Sequence, residues 1–247
     1  MSLRRAMIFA AGRGERMRPL TDTTPKPLLA VGGKRLIEWH LEKLARIGIR
    51  EVVINTSHLA SQFPAILGDG RRWNLHITYS NEGPQALETG GGMLYALPHL
   101  GDDSFVVVNG DVWSDYDFAC LPTKPTGQAH LVLVNNPEQH PLGDFYLDSR
   151  GRIGEQGSPR FTYSGIGLYR ASLFANWQDD LAQAGEDPES SIPARFALIH
   201  LLRAAMRRGD VSGEHHDGYW TDVGTPQRLE QLNARLRACA AVKAPDS

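Results

Sequence analysis

The sequence predicts an α/β fold: a mostly parallel central sheet with flanking helices, followed by a half of mixed β structure. Three observations carry this prediction. Short apolar runs alternate with helix-patterned stretches through the first half of the chain. Two of those runs, "AMIFAA" (residues 6–11) and "FVVVNGD" (105–111), hold unbroken apolar stretches, as strands covered on both faces do. Later runs, "HLVLV", "DFYLD" and "FTYSGIGLY", follow one another without helices between them.

Taken in order, "AMIFAA" is the first strand, and the glycine- and proline-rich stretch after it cannot be helical. "LIEWHLEKLARIG" places Leu36, Ile37, His40, Leu41, Leu44 and Ile47 at helical spacing and stops at Gly48. "EVVIN" (51–55) is the next strand. "ASQFPAILGDG" holds a short helix with Pro64 in its first turn. "HITYS" (76–80) is a strand, and "TGGGMLYALPHL" is a loop entering a helix. Strands alternating with helices indicate βαβ units and a Rossmann-like sheet. "FALIHLLRAAMRRG" and "PQRLEQLNARLRACAA" are helical, the second with Arg228, Arg235 and Arg237 on a solvated face. With no repeat and no long linker, residues 1–240 are expected to form one domain and 241–247 a tail. His215 and His216 are adjacent on a strand, so they point to opposite faces and are taken as structural.

A chain of 247 residues can bury roughly three quarters of its surface without a disulfide or metal staple. The net charge of -2 excludes general nucleic-acid or membrane-surface binding. Cys120 and Cys239 match no metal or redox spacing. Arg4 and Arg5 precede an apolar run that ends at Gly12, short of the apolar core of an export signal. No stretch approaches the ~18 apolar residues of a membrane span. These features predict a cytoplasmic protein.

The first strand leads into "AAGRGERMRPLTDTTPKPL" (10–28), too basic for an ordinary turn. Gly12 and Gly14 let backbone amides approach a ligand closely. Arg16 and Arg18 can fork onto phosphate oxygens, and Lys26 supplies a point charge whose travel Pro25 and Pro27 restrict. A loop at the carboxyl end of a first parallel strand is where open α/β sheets bind nucleotides. The string is neither a P-loop nor a dinucleotide fingerprint, whose third glycine position holds Met17. An anionic ligand is the expectation.

Gly12-Arg13-Gly14-Glu15-Arg16-Met17-Arg18-Pro19-Leu20-Thr21, followed by Pro25-Lys26-Pro27-Leu28, closely resembles the signature of sugar-1-phosphate nucleotidyltransferases. "EWHLEKLARIGIREVVIN", "ALETGGGM", "VVNGDV", "SGIGLYRASLF" and "WTDVGTPQRL" extend the resemblance over most of the chain. It implies a nucleotidyltransferase, GT-A-like fold with a sugar-binding mixed-β half. The implied reaction joins a nucleoside triphosphate to a sugar 1-phosphate and releases pyrophosphate. Asp111 at a strand end and Asp222 in "YWTDVGT" each suit a turn or a helix cap when taken alone. The resemblance makes them the Mg²⁺ ligands, a hard-cation task for carboxylates.

The same resemblance carries catalytic roles onto Arg16, Lys26 and Asp111. It places nucleotide contacts at Ala11, Gly12, Gly14, Glu15, Arg16, Lys26, Glu82, Thr89, Gly90, Asn109 and Gly110, with Asn109 also expected to contact the sugar. The further sugar contacts expected at Gly143, Asp144, Ser164 and Gly165 are read from "PLGDFYLD" and "FTYSGIGLY", where this chain departs from the family. Two departures stand out. Glu88 replaces a usual glycine, and the E-K-P string of many relatives is missing. Within the family, "LETGGG", "NGDVWSDYDF" and "GDF" are most similar to the branch that transfers UMP from UTP to N-acetylmuramic acid 1-phosphate in cell-wall recycling. Guanylyl or uridylyl transfer to mannose, heptose or glucose 1-phosphate is the alternative, and a non-catalytic nucleotide-sensing subunit a lesser one. A monomer or weak homo-oligomer is expected.

Overall fold

The computed structural model describes residues 3–243, with side chains through residue 239. β1 (Arg5–Phe9) buries Ala6, Met7 and Ile8 completely. Ala6 and Ile8 face one core layer and Met7 the other, the alternation of a strand covered on both sides. Against the expectation of no helix, the basic stretch that follows contains the four-residue α1 (Leu20–Thr23) between two 3-10 turns, and then comes the hairpin β2 (Ala30–Val31) and β3 (Lys34–Arg35). α2 (Leu36–Arg46), β4 (Glu51–Thr56), α3 (Gln62–Leu67), β5 (His76–Asn81), α4 (Glu88–Leu100) and β6 (Ser104–Asn109) complete the alternating half. Their strands pair in parallel in the order β5-β4-β1-β6. All four carboxyl ends therefore share one edge, which carries residues 10–25, 82–87 and 110–111.

The second half adds β7 (Val112–Ser114), β8 (Ala129–Val134), β9 (Phe145–Leu147), β10 (Ile153–Gly154) and β11 (Arg160–Arg170). After α5 (Trp177–Gln183) and α6 (Ile199–Arg207) come β12 (Val211–His216), β13 (Trp220–Asp222) and α7 (Pro226–Lys243). β11 lies antiparallel to β6, β8 antiparallel to β11, and β12 parallel to β8. β9 pairs with the first residues of β11, and β10 pairs with β9. The mixed-β expectation holds, and the strands come where the apolar runs placed them.

Two layers cover the sheet. Ile37, Leu41 and Leu44 of α2 pack with Val106 and Val108, while Met93 and Ala96 of α4 and Leu201 and Leu202 of α6 pack with Phe105 and Val107. Each such fully buried side chain contributes roughly 1.5–3 kcal/mol. A third cluster joins Met17, Leu29 and Val31 to Val223 and Leu232. It seats α7 against the basic loop and so fixes the segment that ends in Asp222.

Three details depart from expectation. Gly90, Gly91 and Gly92 lie inside α4 and not in a loop before it. Their absent side chains make room for protein: an added Cβ would strike Phe196 at Gly90, Ala194 at Gly91, and Glu82 and Asn55 at Gly92. α7 runs past the expected start of the tail at residue 241, and residues 244–247 lie outside the described residues. Arg228 is not on a solvated face; only 16% of its side chain is exposed, and it turns inward to Asp222.

Candidate active site

The glycine loop opens at the carboxyl end of β1. Ala10 donates its N–H to Asn55 Oδ1 at 2.8 Å, which pins the loop to the end of β4. Nothing lies within 4 Å of the place a Cβ would take on Gly12, so that face is open to a ligand. Gly14 takes a left-handed conformation, φ 67°, that glycine adopts without steric cost. Its carbonyl accepts from Thr21 Oγ1 and from the Met17 N–H, both at 2.9 Å. Glu15 and Arg16 project into solvent beside the loop.

Lys26 sits in a single 3-10 turn between its prolines. Its amine donates to Asp111 Oδ2 at 2.7 Å, and the lysine side chain is 12% exposed against 33% for the aspartate. Asp111 in turn is held beside Asp222 through backbone. Asp222 registers with Val112 in the β7–β13 pair, and the Val223 N–H donates to the Asp111 carbonyl at 2.7 Å. Remote in sequence, the two aspartates are thus brought together by one three-residue ladder. Asp222 Oδ1 accepts from Arg228 and, at 3.2 Å, from Gln139 Nε2. A Cβ on Gly224 would come within 2.6 Å of the other oxygen, Oδ2, so glycine leaves that side of the carboxylate clear.

Two hollows of about 210 and 260 Å³ meet at Phe9, Thr89 and Asn109. The first is lined by Ala11, Gly12, Lys26, Asn55, Glu88 and Asp111, and the second by Asp144, Phe145, Tyr163, Leu198 and Leu202. Together they form one cleft along the carboxyl edge of the sheet. A larger hollow of about 600 Å³ lies at the opposite, amino-terminal strand ends, among Arg4, Arg5, Asp102 and Lys124. It is remote from the glycine loop and from both aspartates.

Several of the residues expected to contact ligand also make hydrogen bonds within the protein. Glu82 is buried, accepting from Asn55 Nδ2 at 2.6 Å and from the Leu87 N–H at 2.7 Å. Burial pushes its carboxyl above the usual range, and the residue ties β4, β5 and the start of α4 together. The Gly90 N–H donates to Phe196 O, and the Gly110 N–H to Phe9 O. Ser164 is fully buried; its hydroxyl donates to Val132 O and accepts from the Ile166 N–H, closing the bulge where β11 slips register against β8. Gly165 completes that bulge at φ 78°, and a Cβ there would lie 2.6 Å from Asn109. The bulge therefore shapes the site through Asn109.

Asp144 lines the second hollow, its carboxylate accepting from the Tyr163 N–H at 2.8 Å and lying 3.0 Å from His140 Nε2. Gly143 before it, at φ 61°, approaches Asn136 too closely for any Cβ. Sequence reasoning missed four residues that hold these groups: Asn55, Arg160, Arg195 and Arg228. Arg160 donates to the carbonyls of Leu142, Glu155 and Asp144. Arg160 and Arg195 belong to none of the quoted motifs, Asn55 and Arg228 lie in two of them, and each works by reaching a partner made near only by the fold.

The fold and this cleft define a nucleotide-handling α/β enzyme, and the comparisons agree. Residues 5–146 match the model of the nucleotidyl transferase family, and the chain belongs to that family. It is 47% identical over 237 residues to N-acetylmuramate alpha-1-phosphate uridylyltransferase of Neisseria meningitidis, covering 93% of this chain and 97% of that one. The protein of that name from Caulobacter vibrioides is 31% identical over 94% of this chain and 96% of its own. Among solved structures, a candidate glucose-1-phosphate thymidylyltransferase from Bacillus anthracis superposes with a TM-score of 0.80 at 24% identity, covering 96% of both chains. That likeness shows the fold.

Proposed function

We propose that this nucleotidyltransferase transfers UMP from UTP to N-acetylmuramic acid α-1-phosphate, giving the UDP-sugar and pyrophosphate, in the cytoplasm and in the service of peptidoglycan recycling. The chemistry is supported by the open glycine loop, Lys26 and Asp111 lining one hollow, with Asp222 set beside Asp111 by the β7–β13 ladder. The choice of base and sugar is supported by the 47% identity along nearly the whole chain of the Neisseria relative.

A phosphate oxygen of the sugar 1-phosphate attacks the α-phosphorus in line. The new O–P bond forms as the bond from that phosphorus to the bridging oxygen breaks, and pyrophosphate leaves with the electron pair. The nucleophile is already an anion, so no side-chain base is needed, and catalysis consists of alignment and charge neutralisation. The loop amides at Ala11 and Gly12 receive the phosphates. Lys26 meets the charge that grows on the α-phosphoryl oxygens, and Arg16 the departing pyrophosphate. Asn109 and Thr89, shared by both hollows, face the junction of nucleotide and sugar phosphate, with Asp144 accepting from sugar hydroxyls.

Asp111 and Asp222 are a hard-oxygen donor pair that suits Mg²⁺, a cation commonly held by one or two carboxylates with phosphate and water. When bound, it supplies Lewis-acid neutralisation of the phosphates.

The test is a panel of four nucleoside triphosphates against several sugar 1-phosphates, read by pyrophosphate release. UTP with N-acetylmuramic acid 1-phosphate is expected to give the highest kcat/KM. A preference for GTP with mannose or heptose phosphate would overturn the assignment.

A further inference from the structure

The first residue of α4, Glu88, has a φ of 63°. Left-handed backbone brings a Cβ against the neighbouring carbonyl, and glycine avoids that contact. A side chain held there against its own backbone preference points to a task for that side chain. Glu88 lines the same hollow as Gly12, Lys26 and Asp111. Lys26 and Asp111 mark the phosphate site, and Glu88 lines the same hollow together with Asn55 and Ala86. Asp111 and Glu88 are the two carboxylates lining this hollow.

The Glu88 side chain, 43% exposed, has a charged partner. Arg195 Nη2 lies 3.1 Å from Glu88 Oε1, and Arg195 Nε donates to Ala86 O at 3.2 Å. The strap that carries Arg195 is fastened to the start of α4 on both sides. The Phe196 N–H donates to Leu87 O, the Gly90 and Gly91 N–H groups donate to Phe196 O, and the Leu198 N–H donates to Thr89 Oγ1. This docking is what the glycine triplet permits. Among the described residues, no hydrogen bond ends on Glu88 Oε2.

An ionised carboxylate only accepts hydrogen bonds. Beside a polyanionic ligand it repels unless it meets a donor. We propose that Glu88, aimed by Arg195, determines nucleoside specificity by accepting a hydrogen bond from an N–H or O–H donor of the bound nucleoside. For a uridine nucleotide the donors are the imide N3–H and the two ribose hydroxyls. The proposal rests on the nucleotidyltransferase assignment of this cleft and names a residue that reads its substrate.

The experiment measures binding of UTP, 2′-deoxy-UTP, 3′-deoxy-UTP and N3-methyl-UTP by calorimetric titration. The proteins are wild type, Glu88→Gly and Arg195→Met. Wild type is expected to bind at least one analogue about tenfold or more weakly than UTP, and the analogue so penalised identifies the donor. In Glu88→Gly that penalty shrinks to about twofold, and in Arg195→Met it narrows as well. Glycine relieves the left-handed backbone, so Glu88→Gly keeps or raises the melting temperature, which separates lost selectivity from lost fold. Equal binding of all four ligands by wild type, or penalties unchanged in Glu88→Gly, overturns the proposal. Pyrophosphate release by wild type from UTP and a sugar 1-phosphate tests the functional assignment separately. Absence of binding by any nucleotide overturns both.

Discussion

Lys26 and Asp111, eighty-five positions apart, are joined by a 2.7 Å ion pair at the mouth of the glycine loop. One amine thereby orients a carboxylate suited to a metal and stands ready to meet phosphate. The pairing explains why the lysine is packed between prolines: a mobile amine could not serve both partners.

Removing that amine has two consequences. Lys26→Ala is expected to lower kcat about 10²-fold or more, the scale seen when one preorganised charge is deleted from a transition state, while changing nucleotide Kd far less. Single-turnover pyrophosphate release beside equilibrium titration checks the split. Near-normal turnover would remove Lys26 from catalysis.

Arg228 holds Asp222 from the first turn of α7. Arg228→Met keeps much of the stem volume and frees the carboxylate. The half-saturating Mg²⁺ concentration is expected to rise several-fold. A metal titration of pyrophosphate release decides it. An unchanged curve would mean that Asp222 is not a ligand or is held without Arg228.

His40 gives the fold a pH dependence of its own. It lies buried in α2, only 3% exposed. Burial, reinforced by the Lys43 ammonium, lowers its pKa from 6.5 to about 4. The unfolded chain therefore takes up this proton first as pH falls. The stability associated with a neutral His40 is present above pH 6.5 and is lost progressively from there to about pH 4. That shift corresponds to roughly 3 kcal/mol at the acid end. His40→Leu should flatten stability over that window in denaturant titrations, and an identical pH profile would exclude His40 as the source.

How much of this was legible in the sequence depends on how local the cause was. β1 and β6 announced themselves because both faces are covered, so every residue in "FVVV" is apolar. Lys26 and the glycines were legible because proline and glycine restrict backbone wherever they occur. Ser164 and Glu82 drew functional expectations from their positions, yet fold-made partners took up their oxygens. Arg228 looked like one cation among several on a helix, since the contact that matters lies across a turn and against β13. No periodicity encodes that.

Arg160 extends this logic to the sugar side. Its guanidinium binds the carbonyls of Leu142, Asp144 and Glu155, and so holds the loop on which Asp144 faces the second hollow. Arg160→Met leaves those carbonyls to water and lets the loop relax, while the glycine loop and both aspartates lie elsewhere in the cleft. KM for the sugar 1-phosphate is expected to rise about tenfold, with KM for UTP within about twofold of wild type, as roughly 1.4 kcal/mol of lost positioning would give. Steady-state kinetics with each substrate varied in turn measures both. An equal rise in both constants would show that Arg160 supports the whole cleft and not the sugar loop alone.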